Sequence, residues 1–257
     1  MQESNKRQDL KGVLDLILTC DKDNVTLAFM LAESQGLKIE EHIDSILPLS
    51  FILGTNSEIC KELKEYETLD EQVLFLCCDL YLLDLSNLSL KEIPSTICNL
   101  VKLQTLELQK NMLTELPENI GNLQELMDLS FHENNIVSLP NSICDLVNLN
   151  YLTGACNKLS YLPENIGNLR ALYILELSKN RLTRIPNSIG NLKALGEINL
   201  SYNNLLYIPS AIGKTKNLVV LDLHYNPLSF LPNEICDLCV LQHLSIHNTN
   251  INELPSD

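Results

Sequence analysis

The chain has 257 residues, of which 45% are hydrophobic and 5% aromatic, and it carries a formal net charge of −15 at pH 7. The apolar fraction is large enough for a packed core, which excludes a wholly disordered chain. The acidic balance argues against nucleic acid or an anionic membrane as the main partner, because both carry negative charge themselves.

Residues 1–79 are predicted to form an α-helical N-terminal capping domain. Apolar residues recur there at helical spacing, as in Leu10, Val13 and Ile17, and Gly36 ends the second of five expected helices. The start has neither the basic stub and apolar run of a targeting segment nor the roughly 18 apolar residues of a membrane span. Because the last helix leads directly into the first strand, we expect these helices to cover the apolar end of the array that follows.

Residues 80–257 consist of one sequence unit that returns every 23 residues. Eight copies follow the pattern L-x-x-L-x-L-x-x-N-x-L-x-x-L-P-x-x-I-G-x-L, and the last copy is truncated. The leucines at position 1 of successive copies are Leu80, Leu103, Leu126, Leu149, Leu172, Leu195, Leu218 and Leu241. The prolines that keep the same interval are Pro94, Pro117, Pro140, Pro163, Pro186, Pro209, Pro232 and Pro255. Such regularity indicates that each copy is one structural unit.

The segment L-x-x-L-x-L in each copy predicts a short strand. Residues two apart point the same way from a strand, so positions 4 and 6 face a core and positions 3, 5 and 7 face the opposite side. One copy cannot bury its apolar face, but a stack of copies joined by parallel strand pairing can. The return limb is wider than the strand spacing of about 4.8 Å, so the stack curves with the sheet on its concave side. The predicted fold is therefore an α/β solenoid, a curved array of eight repeats that follows the helical cap.

Position 9 is an asparagine in six of the eight copies. An amide both donates and accepts hydrogen bonds, so these side chains are predicted to satisfy backbone groups in the turns between neighbouring repeats. The two end copies have Leu88 and Thr249 instead, as expected where one neighbour is missing. The asparagines are Asn111, Asn134, Asn157, Asn180, Asn203 and Asn226.

Position 6 departs from leucine or isoleucine in two adjacent copies, which have Phe131 and Gly154 there. Adjacent strands would place the large side chain beside the missing one. We expect the ring of Phe131 to fill the space at Gly154 and keep the core volume constant.

The sequence stops at Leu254-Pro-Ser-Asp257, partway through the eighth copy, and no second cap is expected. An uncovered parallel edge favours pairing with another chain. The polar content between His243 and Asn252 favours a monomer, and an edge-to-edge dimer through the last repeat is the alternative.

The eight copies resemble the leucine-rich-repeat superfamily, in its 23-residue L-P-x-x-I-G-x-L type. They are similar to bacterial cytoplasmic proteins of this type and to the intracellular Ras-group-related repeat proteins of plants and animals. The resemblance covers residues 80–257 and implies a module or scaffold that binds proteins on its concave sheet. Ubiquitin-ligase effectors of pathogens also carry such repeats, so the alternative is a pathogen-type effector or ligase-associated substrate-recognition protein acting in a host cell. Ligases with a catalytic cysteine have a large domain after the repeats, and none is expected here.

Nine cysteines show no disulfide framework, which favours a cytoplasmic protein with reduced thiols. Cys236 and Cys239 have the spacing of a redox or zinc pair. However, Cys236 occupies the same repeat position as Cys98 and Cys144, where other copies have glycine. A small side chain is required there for close packing on the convex side, so we interpret these cysteines as structural.

His224 and His247 occupy position 7 of adjacent copies and should lie about 5 Å apart on the concave face. Asp222 projects from the same strand, but two histidines and one carboxylate are fewer ligands than a closed metal site requires. No arrangement of nucleophile and base is recognisable. We therefore expect a protein that is not an enzyme and has no metal or other cofactor.

The concave residues of copies four to seven form the predicted binding site. They combine tyrosines and aliphatic side chains with acidic neighbours, a composition typical of interface hot spots. The acidic residues favour a protein partner with a partly basic surface. The predicted partner-binding residues are Tyr151, Ile174, Glu176, Glu197, Tyr202, Val220, Asp222, His224 and Tyr225.

Overall fold

The computed structural model describes residues 80–93 and 95–255, in which short strands alternate with short 3₁₀ helices. The helices predicted within residues 1–79 lie outside the described part of the chain. The strands are β1 (Leu82–Asp84), β2 (Thr105–Glu107), β3 (Asp128–Ser130), β4 (Tyr151–Thr153), β5 (Ile174–Glu176), β6 (Glu197–Asn199), β7 (Val220–Asp222) and β8 (His243–Ser245). The 3₁₀ helices are Ser95–Asn99, Ile120–Asn122, Asn141–Asp145, Ile166–Asn168, Asn187–Asn191, Ser210–Lys214 and Asn233–Asp237.

The strands form one open curved sheet in which β1 to β8 lie in sequence order and every pair is parallel. Leu82 of β1 pairs with Thr105 of β2, and Val220 of β7 pairs with His243 of β8. The paired residues are 23 positions apart along the whole sheet, so equivalent positions of successive repeats form straight rows. The predicted solenoid with a parallel sheet is confirmed.

The core is a continuous aliphatic stack between the sheet and the return limbs. The central residue of each strand from β1 to β7 points into it and is at most 1% exposed, as Leu106 and Leu175 illustrate. In β8 the equivalent Leu244 is 36% exposed, because no ninth strand packs against it among the described residues. The single core thus depends on contacts between neighbouring repeats.

Proline and glycine shape the return limb. Pro186 has the extended backbone that precedes a 3₁₀ helix, and its carbonyl accepts the N–H of Ile189 at 3.1 Å. A Cβ atom added to Gly167 would overlap the carbonyl oxygen of Ser188 in the next repeat. Glycine at this position therefore allows adjacent 3₁₀ helices to stack closely.

The asparagines at position 9 form the predicted hydrogen-bond ladder. The Oδ1 atom of Asn134 accepts the N–H of Leu113 in the preceding repeat at 2.9 Å. Its Nδ2 atom donates to the carbonyls of Leu108 at 2.9 Å and Phe131 at 3.0 Å, so one amide links two repeats. All six asparagines are at most 8% exposed, and the predicted structural role is confirmed.

The predicted pairing of Phe131 with Gly154 is also confirmed. Phe131 is fully buried, and a Cβ atom built on Gly154 would overlap two carbons of its ring. The same Cβ atom would lie 3.1 Å from the side chain of Leu177. The phenyl ring therefore occupies the volume that leucine or isoleucine fills at position 6 of the other repeats.

Candidate functional site

Two rows of side chains cross the exposed face of the sheet, which we call the sheet face. Sheet register places four of the predicted residues side by side at position 3 of repeats four to seven. We call them the position-3 row: Tyr151, Ile174, Glu197 and Val220. Tyr151 is 40% exposed, and the other three are partly buried. The row is continuous over three strand intervals, or about 14 Å.

Glu176 and Asp222 lie in the second row, at position 5, with Asn199 between them. These carboxylates hold the turn that follows each strand. An oxygen of Glu176 accepts the N–H of Ser178 at 2.8 Å, and Oδ1 of Asp222 accepts the N–H of His224 at 3.2 Å. The strand pattern predicts that these acids are free to bind a partner, whereas one oxygen of each accepts a local hydrogen bond. A sequence indicates this role where a carboxylate stands two residues before a backbone N–H of the following turn.

Four rings converge at the end of this face, and we call them the aromatic corner: Tyr202, His224, Tyr225 and His247. The two tyrosine rings are stacked, with centroids 4.3 Å apart, and the two histidine rings are stacked with centroids 4.4 Å apart. His224 meets Tyr202 edge to face at 5.0 Å. The predicted proximity of the two histidines is confirmed, whereas His247 is not among the predicted binding residues.

The backbone fixes the direction of both tyrosines. Tyr202 has a φ of 54° and Tyr225 a φ of 53°, in the left-handed backbone region that residues other than glycine rarely adopt. Each N–H donates to a carbonyl of the next repeat, Tyr202 to His224 at 2.9 Å and Tyr225 to His247 at 3.0 Å. The rings are therefore held by the turn, and both stay exposed, at 43% and 46%.

A hydrogen bond also orients His224. Its Nδ1 atom lies 2.5 Å from Oδ1 of Asp222, and because a carboxylate only accepts, Nδ1 is the donor. The Nζ atom of Lys179 lies 5.9 Å from the centroid of the Tyr202 ring, within cation–π range. The corner thus combines four rings, one carboxylate and one cation.

Family comparison identifies the repeats. A family model described as a leucine-rich repeat region matches residues 58–158 and 139–226, which together are more than half of the chain. The chain belongs to the leucine-rich-repeat family. A second model, described as a leucine-rich repeat, matches residues 217–238. No curated protein sequence matches the chain.

Solved leucine-rich-repeat structures share the fold. A leucine-rich-repeat protein from Leptospira interrogans is 31% identical with a TM-score of 0.66, over 75% of this chain and 55% of that one. The plant peptide hormone receptor RGFR1, solved in complex with RGF2, is 34% identical with a TM-score of 0.61, over 70% and 29%. A TDR receptor is 36% identical with a TM-score of 0.59, over 62% and 29%. The chain thus spans about half of the Leptospira protein and less than a third of the receptors.

Cysteines of the leucine-rich repeats differ in burial although three of them share one repeat position. Cys98 and Cys144 are buried, and burial raises the pKa of their thiols to about 12 and about 11. Cys236 is exposed, which departs from the packing interpretation, because no further 3₁₀ helix lies against it among the described residues. Cys239 is exposed as well.

Within residues 80–93 and 95–255, no group of three or more His, Cys, Asp or Glu side chains is placed to hold a metal ion. The same part of the chain contains no helix with the length and hydropathy of a membrane span.

Acidic side chains also gather on the sheet face of repeats two and three. Burial raises the pKa of Asp128, and the negative charge of Glu107 raises it further. A carboxyl group whose pKa is higher in the folded chain than in the unfolded chain lowers stability once it is ionised. The protonated carboxyl of Asp128 therefore makes its full contribution to stability below the unfolded pKa of 3.8. That contribution is lost as the pH rises through the higher pKa of the folded chain.

We therefore expect Asp128→Asn to increase the free energy of unfolding at pH 7 by less than about 1 kcal/mol, because solvent screens the charges of the partly exposed Asp128 and Glu107. The gain should shrink as the pH falls and disappear below pH 3.8, where the wild-type carboxyl is protonated in both states. Urea denaturation at pH 7 and at acidic pH measures it. Asp145→Asn, which changes an exposed carboxylate on the return limb, should give no such gain. A pH-independent effect of Asp128→Asn would contradict the electrostatic explanation.

Proposed function

We propose that the chain is a non-catalytic protein-binding module whose partner lies on the concave sheet face of repeats four to seven. The observation that carries this proposal is a chain of neighbouring side chains on the sheet face. Val220 belongs to the position-3 row, Asp222 lies two residues further along the same strand, and Asp222 is hydrogen-bonded to His224 of the aromatic corner. Leucine-rich-repeat proteins are typically interaction modules, and one structural neighbour is a receptor solved in complex with RGF2. Both facts support a protein or peptide partner.

The chemistry of this surface supports the same conclusion. Tyr151, Tyr202 and Tyr225 are each at least 40% exposed, and tyrosine supplies a large contact area with few rotatable bonds. Ile174 and Val220 are partly buried beside them and add apolar area. These features are typical of the centre of an interface rather than its rim.

Charge defines the partner further. Glu176, Glu197 and Asp222 lie on the two rows, and the whole chain has a net charge of −15. A partner with a partly basic surface would be attracted during encounter and oriented on docking. We also propose that the chain acts in the cytoplasm as a binding module or scaffold, that it is a monomer rather than an edge-to-edge dimer, and that its repeats are of the 23-residue bacterial and Ras-group-related type. The five described cysteines are free thiols, as expected in a reducing compartment.

The test is quantitative capture of partners from a lysate of the source organism, comparing wild type with a row variant. Tyr151→Ala combined with Ile174→Ala removes one aromatic and one aliphatic side chain from the position-3 row. We expect the retained partner to fall at least tenfold, because hot-spot truncations cost about 2 kcal/mol or more.

The matched control is Tyr161→Ala combined with Leu206→Ala, which removes similar side chains, 49% and 59% exposed, from the return limb. It should retain the partner, and circular dichroism should give the same spectrum for all three proteins. Loss in the control with retention in the row variant would place the interface on the return limb and overturn the proposal.

A further inference from the structure

The geometry points to the aromatic corner as a docking site for an arginine side chain of the partner. This inference rests on the proposed function, because it specifies the chemistry recognised at one end of the same surface. Three observations support it: an exposed ring on Tyr225 with no cation of the described residues over it, an oxygen of Asp222 without a hydrogen bond in those residues, and a lysine at cation–π distance from Tyr202.

Among the described residues, the tyrosine pair has a cation at one end only. Lys179 lies at cation–π distance from Tyr202, whereas no lysine or arginine lies over Tyr225 in residues 80–93 and 95–255. Tyr225 is 46% exposed, so its ring is accessible to a partner. Aromatic rings attract cations within about 6 Å of their centroid, and the protein's own lysine illustrates this at Tyr202.

Asp222 supplies the matching acceptor. Its Oδ1 atom binds His224, while its Oδ2 atom makes no hydrogen bond within the described part of the chain. The side chain is 23% exposed. His224 contacts both this carboxylate and the ring of Tyr225, whose centroid lies 5.6 Å from its own, so acceptor and ring are separated by a single imidazole. A cation stacked on Tyr225 would find a charge-assisted acceptor nearby.

Arginine fits this combination better than lysine. Its guanidinium is planar, stacks on aromatic faces while it donates hydrogen bonds at its edge, and is more weakly hydrated than an ammonium group. The rings are already ordered, since the tyrosines are stacked and their backbone is fixed by hydrogen bonds to the next repeat. Little conformational entropy is therefore lost when a partner docks.

The probe is a blocked tripeptide, acetyl-Gly-Arg-Gly-amide, titrated into the full chain while the ring resonances are followed by NMR. We expect saturable shifts of the Tyr225 and His247 signals with an affinity in the millimolar range. The lysine tripeptide should bind several-fold more weakly. The citrulline tripeptide, which keeps the shape of arginine without its charge, should give no saturable shift.

Variants assign the binding to the corner. Tyr225→Leu, which keeps bulk but removes the ring, should abolish the arginine response, and Asp222→Asn should weaken it several-fold. Tyr161→Leu and Asp237→Asn are the matched controls, because both residues are exposed on the return limb, and neither should change the titration. Equal binding of citrulline, an unchanged response in Tyr225→Leu, or shifts confined to the region around Glu107 and Asp128 would each overturn the arginine assignment.

Failure of this inference can be separated from failure of the proposed function. If the tripeptide does not bind but partner capture still depends on the position-3 row, the arginine site is wrong and the concave interface stands. If the tripeptide binds the aromatic corner while partner capture is unchanged in the row variant, the proposed interface is wrong and the arginine site stands.

Discussion

Phe131→Ala should lower the free energy of unfolding by about 3 to 5 kcal/mol, the range observed when a buried phenyl ring is removed. Phe131 is fully buried, and its ring fills the space of its own repeat and of Gly154 in the next. Gly154 has no side chain that could close that space, and Leu177 already contacts the same site. Urea denaturation followed by circular dichroism measures the change.

A double-mutant cycle tests whether the ring of Phe131 compensates for the missing side chain of Gly154. Gly154→Leu alone should destabilise, because the new side chain overlaps the ring of Phe131. Phe131→Leu combined with Gly154→Leu installs the leucine that most other repeats have at position 6, and it should recover most of the stability lost by either single change. The coupling energy should exceed about 1 kcal/mol in magnitude, since the two residues share one cavity. Additive effects would show that Phe131 and Gly154 are accommodated independently.

Asn157→Ala should lower the free energy of unfolding by about 2 to 4 kcal/mol. Its Oδ1 atom accepts the N–H of Ile136 at 2.9 Å, and its Nδ2 atom donates to the carbonyls of Phe131 at 3.0 Å and Gly154 at 3.2 Å. Alanine leaves these buried backbone groups without that partner, and a buried N–H that loses its acceptor is the most costly of them. Chemical denaturation of the full chain measures the loss.

Asn148→Ala is the control for this experiment. Asn148 also donates to the preceding repeat, from Nδ2 to the carbonyl of Gln124 at 2.9 Å, but that bond is exposed to solvent. Water replaces the lost donor there, so the expected cost is below about 1 kcal/mol. If Asn148→Ala and Asn157→Ala destabilised equally, burial of the position 9 amide would not be the source of its contribution.

Periodicity made the sheet and its core predictable from the sequence. The interval between Leu103 and Leu126 fixes which residues pair, and the L-x-L spacing fixes which of them face inward, so the register follows without knowledge of the loops. The exchange between Phe131 and Gly154 was predictable for the same reason, because equivalent positions of adjacent repeats become spatial neighbours. The position-3 row follows from this rule as well.

Local hydrogen bonding was not predictable in the same way. Asp222 and Glu176 occupy exposed strand positions, and alternation alone describes them as free acids, whereas the turn after the strand directs an N–H back to each. That turn requires a positive φ at position 8, where Tyr202 stands instead of the glycine or asparagine that usually signals it. The repeat interval places Tyr202 beside Tyr225, but the orientation that stacks their rings depends on this backbone, which their sequence does not indicate.

Because the backbone at position 8 is left-handed whatever residue stands there, the side chain at this position can change without changing the fold. Residues as different as Lys110, Glu133, Cys156 and Tyr225 adopt this backbone, with φ between 53° and 57°. Backbone bonds and the asparagine that follows hold the turn, so the identity of the residue alters what the surface presents and leaves the core untouched. Over evolutionary time, binding residues can be exchanged one at a time through intermediates that all remain folded. A new specificity is then reached by small steps along the array rather than by redesign of the protein.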